Sequence, residues 1–165
     1  MNATGRRQAA RNGQALKALN LPLADIDFVS SPLQRAAETM EIVRAAMGLA
    51  PTGYRTDSDL VELHYGHWEG HLASALATTD PDGVSAKAKD PFGWRPRGGE
   101  SYADLAARIA HWIETRERDT IAITHGGVSR VARGCVLGLD TRDVPSLDVP
   151  QDRILVLTGH GMRWI

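Results

Sequence analysis

The run Ile121-Ala122-Ile123-Thr124 constrains the fold more than any other part of the chain. It is short, rich in β-branched residues and has no polar alternation, so both faces of the strand that it forms must be buried. It stops at His125-Gly126-Gly127, after which apolar residues recur at helical spacing through Val128, Val131, Ala132 and Cys135. A doubly buried strand feeding straight into a helix is the building unit of a parallel sheet covered by helices. The same grammar appears earlier, where Ile26-Asp27-Phe28-Val29 ends in Ser30-Ser31-Pro32 and a helical pattern follows from Leu33 to about Leu49. Two such units predict an α/β class fold, a three-layer α/β/α sandwich with a mostly parallel sheet, in one domain over residues 1–165.

The remaining segments fit around that plan. A helix capped by Asn2 or Thr4 is expected to run through Ala9, Ala10, Gly13, Leu16 and Leu19, with no strand before it. Residues 51–99 carry weaker order, with turn signals at Asp80-Pro81-Asp82-Gly83 and Arg95-Pro96-Arg97-Gly98-Gly99, and read as a long excursion with one helix near Leu72 to Thr79. Ser101 and Asp104 form a capping-box pattern ahead of a helix whose apolar face is Leu105, Ile109, Trp112 and Ile113. Ile154 to Thr158 and Met162 to Ile165 flank Gly159-His160-Gly161 and read as a terminal hairpin at one edge of the sheet.

Sheets of this kind bind ligands beyond the C-terminal ends of their strands. Arg35 follows the first strand and His125 the second, so a guanidinium and an imidazole should converge above the same edge. The arginine fork suits phosphate oxygens, and helix N-termini with glycines such as Gly126 let backbone N–H groups approach an anion. Glu62, between the two strands in sequence, becomes a proton donor if burial and a neighbouring phosphate raise its pKa. The net charge of -1 supplies no field to draw in nucleic acid, so any anion site is local. A single cysteine, the lack of an apolar run of spanning length and a polar N-terminus lead us to expect a cytoplasmic protein with no membrane partner.

Four blocks carry a family resemblance: Ser30-Ser31-Pro32-Leu33-Gln34-Arg35-Ala36-Ala37-Glu38-Thr39; the spacing of Leu60, Glu62, Gly66, Trp68, Glu69 and Gly70; Gly98-Gly99-Glu100-Ser101; and Thr124-His125-Gly126-Gly127-Val128. In this order and over essentially the whole chain they resemble the histidine phosphatase superfamily, the phosphoglycerate-mutase-like proteins. The resemblance implies phosphoryl transfer through a phosphohistidine without metal or cofactor, on a small phosphorylated substrate. It implies that Arg35 and Gly126 bind phosphate, Glu62 protonates the leaving oxygen and His125 stabilises transition-state charge. The family's first strand ends in Arg-His-Gly, which supplies the nucleophile, and no Arg-His-Gly occurs in these 165 residues. Asn2 to Ala9 resembles the stretch just downstream of that motif. The expectation is therefore that the first central strand and the nucleophilic histidine are missing and that the chain as given is inactive. A start assigned too far downstream accounts for this best, because the other motifs are intact; a shortened chain and true degeneration are the alternatives.

By the same resemblance a chain this short looks like a broad phosphomonoester phosphatase rather than a phosphoglycerate mutase. A catalytically dead phosphate-ester-binding protein is the reading from a different class. Within the excursion, Lys87, Lys89, Arg95 and Arg97 either hold a second anionic group or are solvated. His64, His67 and His71 are not expected to bind metal, since Gly66 and Gly70 break any helix that would align them. Trp68 and Trp94 read as partial core before substrate wall, Glu69 as structural and Cys135 as a buried apolar residue.

Overall fold

A computed structural model describes residues 1–165. Three parallel strands form the central sheet, β1 (Asp27–Ser30), β2 (Arg55–Thr56) and β3 (Thr120–Ile123), in the order β2-β1-β3. Val29 pairs with Ala122 and Phe28 with Ile121, so neighbouring residues on each strand face opposite layers. Phe28, Ile121 and Ile123 face the helices α1 (Ala3–Ala18) and α2 (Gln34–Met47), with Ala9, Leu16, Met40, Val43 and Met47. Val29 and Ala122 face α5 (Tyr102–Glu114) and α6 (Gly126–Leu137), with Leu105, Ile109, Val128 and Val131. The result is the α/β/α sandwich expected from the strand runs.

The helix ends follow local chemistry. Asn2 caps α1 by accepting the Gly5 N–H, and Gly13 lets α1 lie against α2, since a Cβ there would stand 2.5 Å from Val43 O. Ser101 and Asp104 form the anticipated capping box of α5. Within the excursion, α3 (Ala73–Thr79) occupies the anticipated helix, but Asp80-Pro81-Asp82-Gly83 is no turn. Asp80 caps a further helix, α4 (Pro81–Lys89), accepting the Gly83 N–H at 3.0 Å, and Pro81 sits in its first turn, where a missing N–H costs nothing. The two-residue β2 is too short to leave a periodic signature.

The terminal hairpin, β4 (Leu155–Thr158) and β5 (Gly161–Trp164), also differs from expectation. It forms at the anticipated residues but makes its own antiparallel sheet and does not extend the parallel one. β3 and β4 are kept apart by a cavity of about 710 Å3, lined by Ala122, Ile123 and Thr124 on one side and by Leu155 and Trp164 on the other. Cys135 is another correction, because its residue is exposed and not core. Gly134 takes the packed side of α6, where a Cβ would come 2.7 Å from Val144 Cγ2. No helix is long and apolar enough to cross a membrane.

Candidate active site

The same cavity receives the ends of β1 and β3, and Arg35, Glu62, His125 and Gly126 all line it. Arg35 stands in the first turn of α2 and donates from Nε to His125 Nδ1 at 3.3 Å, across 90 positions of sequence. With Nδ1 accepting, the neutral ring carries its proton on Nε2, which lies 2.8 Å from Ser31 Oγ and donates to it. Ser31 is fully buried, and its Oγ also accepts the Leu33 N–H at 3.3 Å. Ser31 therefore orients the imidazole and secures the start of α2 together. Burial, and after it the adjacent Arg35 charge, hold His125 below the ordinary histidine value, against an opposing pull from Glu62.

Glu62 is half-buried beneath the start of α6. Its Oε1 accepts the Gly127 N–H at 3.0 Å and the Leu63 N–H at 3.0 Å, while Oε2 makes one longer contact, 3.3 Å, to Gly127. Gly127 is required for this seat, because a Cβ would lie 2.5 Å from Oε1. The two glycines thus divide their work: the Gly127 N–H is committed to Glu62. The Gly126 N–H, at the first position of α6, has no intrahelical acceptor and borders the cavity.

Several residues that sequence reasoning did not single out hold this arrangement. Arg108 of α5 donates to the carbonyls of Asp59 and Val61, the latter at 3.1 Å, and to both oxygens of Glu100 at 3.2 and 3.1 Å. Glu100 in turn accepts the His64 N–H at 3.2 Å, and its own N–H reaches His64 O at 2.8 Å. The Gly98-Gly99-Glu100-Ser101 block therefore braces the segment that bears Glu62. Arg130, one turn into α6, donates from Nε to Leu147 O at 2.8 Å and sets its guanidinium against Gly126. Its place one helical turn beyond the Gly-Gly pair was the available signal. Two histidines of the excursion act as hydrogen-bond links, His64 Nδ1 accepting the Gly66 N–H at 3.2 Å and His67 Nε2 meeting Asp80 at 3.1 Å. Glu69 accepts the Tyr65 N–H at 2.6 Å, a structural use.

Chemically, the cavity offers a guanidinium, an imidazole, a free backbone N–H and a carboxyl to one anion at the ends of two parallel strands. The family model of the histidine phosphatase superfamily (branch 1) matches residues 1–165. The chain belongs to this superfamily. It is 29% identical over 160 residues to the glucosyl-3-phosphoglycerate phosphatase of Mycobacterium tuberculosis, covering 89% of this chain and 68% of that protein. To the corresponding enzyme of Mycolicibacterium vanbaalenii it is 30% identical over 155 residues, covering 87% of this chain and 65% of that one. The solved structure of the mycobacterial glucosyl-3-phosphoglycerate phosphatase with inorganic phosphate superposes with a TM-score of 0.74 at 27% identity, over 100% of this chain and 84% of the other. The superfamily match and these relatives make the chain a histidine-phosphatase homologue whose relatives are hydrolases of phosphate esters.

Proposed function

We propose that this chain carries the phosphate-binding and proton-transfer half of a phosphomonoester phosphatase that works through a phosphohistidine. The observation that carries the reading is the convergence of Arg35, His125, Gly126 and Glu62 on one cavity. In this reading Arg35 and the Gly126 N–H hold the phosphate oxygens, and His125, taking a proton on Nδ1 in place of its bond from Arg35 as the anion binds, adds a hydrogen bond that strengthens as negative charge grows on them. A nucleophilic histidine forms an N–P bond as the ester P–O bond breaks, and the Glu62 carboxyl gives its proton to the leaving oxygen. Water then attacks the phosphohistidine, Glu62 takes its proton, and inorganic phosphate leaves. Every donor named is a side chain or backbone N–H, so no step calls for a metal.

In this reading the nucleophile belongs to an Arg-His-Gly strand, and no Arg-His-Gly occurs in these residues. The unpaired edge of β3 and the gap between it and β4 suit an extended strand, and we place the Arg-His-Gly strand there as the element that makes the site competent. The substrate is a small phosphorylated metabolite, and the phosphatase activity of the relatives favours hydrolysis over mutase chemistry. Hydrolysis of p-nitrophenyl phosphate tests the proposal, comparing this chain with the same chain preceded by a strand ending in Arg-His-Gly. Turnover and an acid-labile phosphoenzyme only in the longer form are expected. Turnover by the shorter chain overturns the assignment of the nucleophile, and phosphate binding without turnover in either form favours a binding protein.

A further inference from the structure

Glu62 follows a short helical turn, Ser58–Leu60, and leads into irregular chain. Three successive carbonyls before it are each taken by a side chain: Arg108 of α5 holds those of Asp59 and Val61, and Thr124 Oγ1 donates to that of Leu60 at 2.9 Å. Asp57, at the head of the same turn, donates its N–H to Ser30 O at the end of β1 and accepts Trp112 Nε1 of α5, both at 2.9 Å. The ties to α5 and β1 belong to the scaffold. The Thr124 bond differs, because Thr124 immediately precedes His125 and lines the same cavity.

His125 is therefore flanked by two donors to the Glu62 segment: Thr124 through its hydroxyl, 64 positions from Leu60, and Gly127 through its N–H to Glu62 Oε1. The Gly127 bond ends on the reacting carboxyl. Bonds to an ionised acceptor are roughly twice as strong as neutral ones, so it weakens whenever Glu62 carries a proton. The Thr124 bond ends on a backbone carbonyl and is indifferent to that proton. In the proposed reaction each turnover takes Glu62 through both states, protonated as the ester bond breaks and ionised as water attacks. Oε1 accepts two N–H groups and Oε2 makes one longer contact, so Oε2 is the oxygen that carries the proton. Every hydrogen bond to the carboxylate comes from backbone N–H; the charged or titratable groups around it are His125, Arg130 on α6, Tyr65 of its own segment and Arg35 across the cavity, while Arg108 and Glu100 on the α5 side are paired with one another. Resting on the phosphatase reading, we propose that Thr124 is a positioning residue for the general acid: its hydroxyl keeps Glu62 at a constant distance from His125 when the protonated carboxyl has loosened its bond to Gly127. A valine in its place fills the same space but leaves the carbonyl of buried Leu60 without its donor.

The test is made on the chain itself by proton NMR and needs no turnover. The Leu63 and Gly127 N–H groups both bond to Glu62 Oε1, the first from within the segment and the second from across the site. In the parent chain both amide protons should shift together as Glu62 takes its proton, and the Gly127 amide should stay protected from exchange on the acid side. Thr124→Val should leave the Leu63 response in place and speed Gly127 exchange on the acid side by about fivefold, the worth of one neutral hydrogen bond. Thr124→Ser, which returns the hydroxyl without the methyl, should restore the protection. Equal exchange in Thr124→Val and the parent, or a Thr124→Ser chain that behaves like Thr124→Val, overturns the proposal. The parent also serves alone: the Thr124 hydroxyl proton should remain slow to exchange as Glu62 protonates, and its loss on the acid side overturns the proposal without any variant. In a form that turns over, Thr124→Val should slow phenyl phosphate about fivefold more than dinitrophenyl phosphate, whose leaving oxygen has little need of the proton; equal slowing overturns the positioning role. Failure of the phosphatase reading looks different: vanadate then leaves the His125 and Glu62 signals unmoved, while the effect of Thr124 on Gly127 persists.

Discussion

The N-termini of α5 and α6 solve the same problem in opposite ways. α5 is sealed by its own sequence, Ser101 Oγ accepting the Asp104 N–H at 3.1 Å and Asp104 returning a bond to the Ser101 N–H at 2.8 Å. α6 has no such cap. Its second N–H is met by Glu62, 65 positions away, and its first is left facing the cavity. α2, the other helix that starts at a strand end beside the site, likewise lacks a side-chain cap in the usual position and relies on Ser31. A helix that closes itself contributes stability; one left open keeps donors available for an anion. Between α5 and the pair α2 and α6, sealed and open termini separate a helix of the scaffold from helices that start at the cavity.

The largest expected effect is on turnover. In whichever form of the chain hydrolyses p-nitrophenyl phosphate, His125→Ala should slow turnover by roughly 10²–10³, the cost of losing a charge-stabilising donor. A wild-type rate would remove His125 from the chemistry. Next, Arg35→Ala should weaken vanadate binding by about 1.5–3 kcal/mol in calorimetry, the worth of a hydrogen bond to a charged group. Gly127→Ala acts on the scaffold of the open terminus, because its Cβ would collide with Glu62 Oε1 at 2.5 Å. We expect a loss of about 1–3 kcal/mol in urea unfolding. Gly126→Ala should cost less, since its Cβ meets the far end of the Arg130 side chain at 3.3 Å and Glu62 Oε2 at an ordinary 3.8 Å. Equal losses would break the distinction between the two glycines. Ser101→Ala should cost about 1 kcal/mol of stability and leave vanadate affinity alone, as befits a sealed terminus.

The smallest effect concerns protons. His125 is held low in the free site, and a bound anion beside it raises its pKa, so binding takes up a proton. Affinity for sulfate, whose own charge stays constant, should therefore rise as the pH falls toward the lowered value of free His125. Calorimetry in buffers of different ionisation enthalpy would detect the uptake, and a flat profile would show that the anion does not approach the imidazole.

How much of this was legible follows from the range of the interactions. β1, β3, α1, α2, α5 and α6 were readable because apolar periodicity and neighbouring caps announce them within a few residues. α4 was hidden because Asp-Pro-Asp-Gly serves a turn and a helix start equally well, and the surroundings of Asp80 decide between them. The hairpin was readable as a hairpin but not as a separate sheet, since strand neighbours are a tertiary property. At the site, Arg35, Glu62, His125 and Gly126 stood out by position and residue type. Ser31, Arg108 and Arg130 did not, because their partners lie far along the chain. Nor does the sequence place the Lys87 ammonium 4.8 Å from the Tyr65 ring, since that neighbour comes from another part of the excursion.

The neck of the excursion has a broader consequence. His64 and Glu100 bond to one another, Gly66 and Gly99 cross where neither tolerates a Cβ, and Arg108 ties the Glu62 end down. The residues between are therefore a loop closed at its base, outside the frame that sets the position of Glu62. Lengthening such a loop is cheap, about 0.6 kcal/mol for each doubling, because only closure entropy changes. The frame that sets the position of Glu62 can accordingly keep its geometry while exposed stretches between His67 and Arg97 change in length.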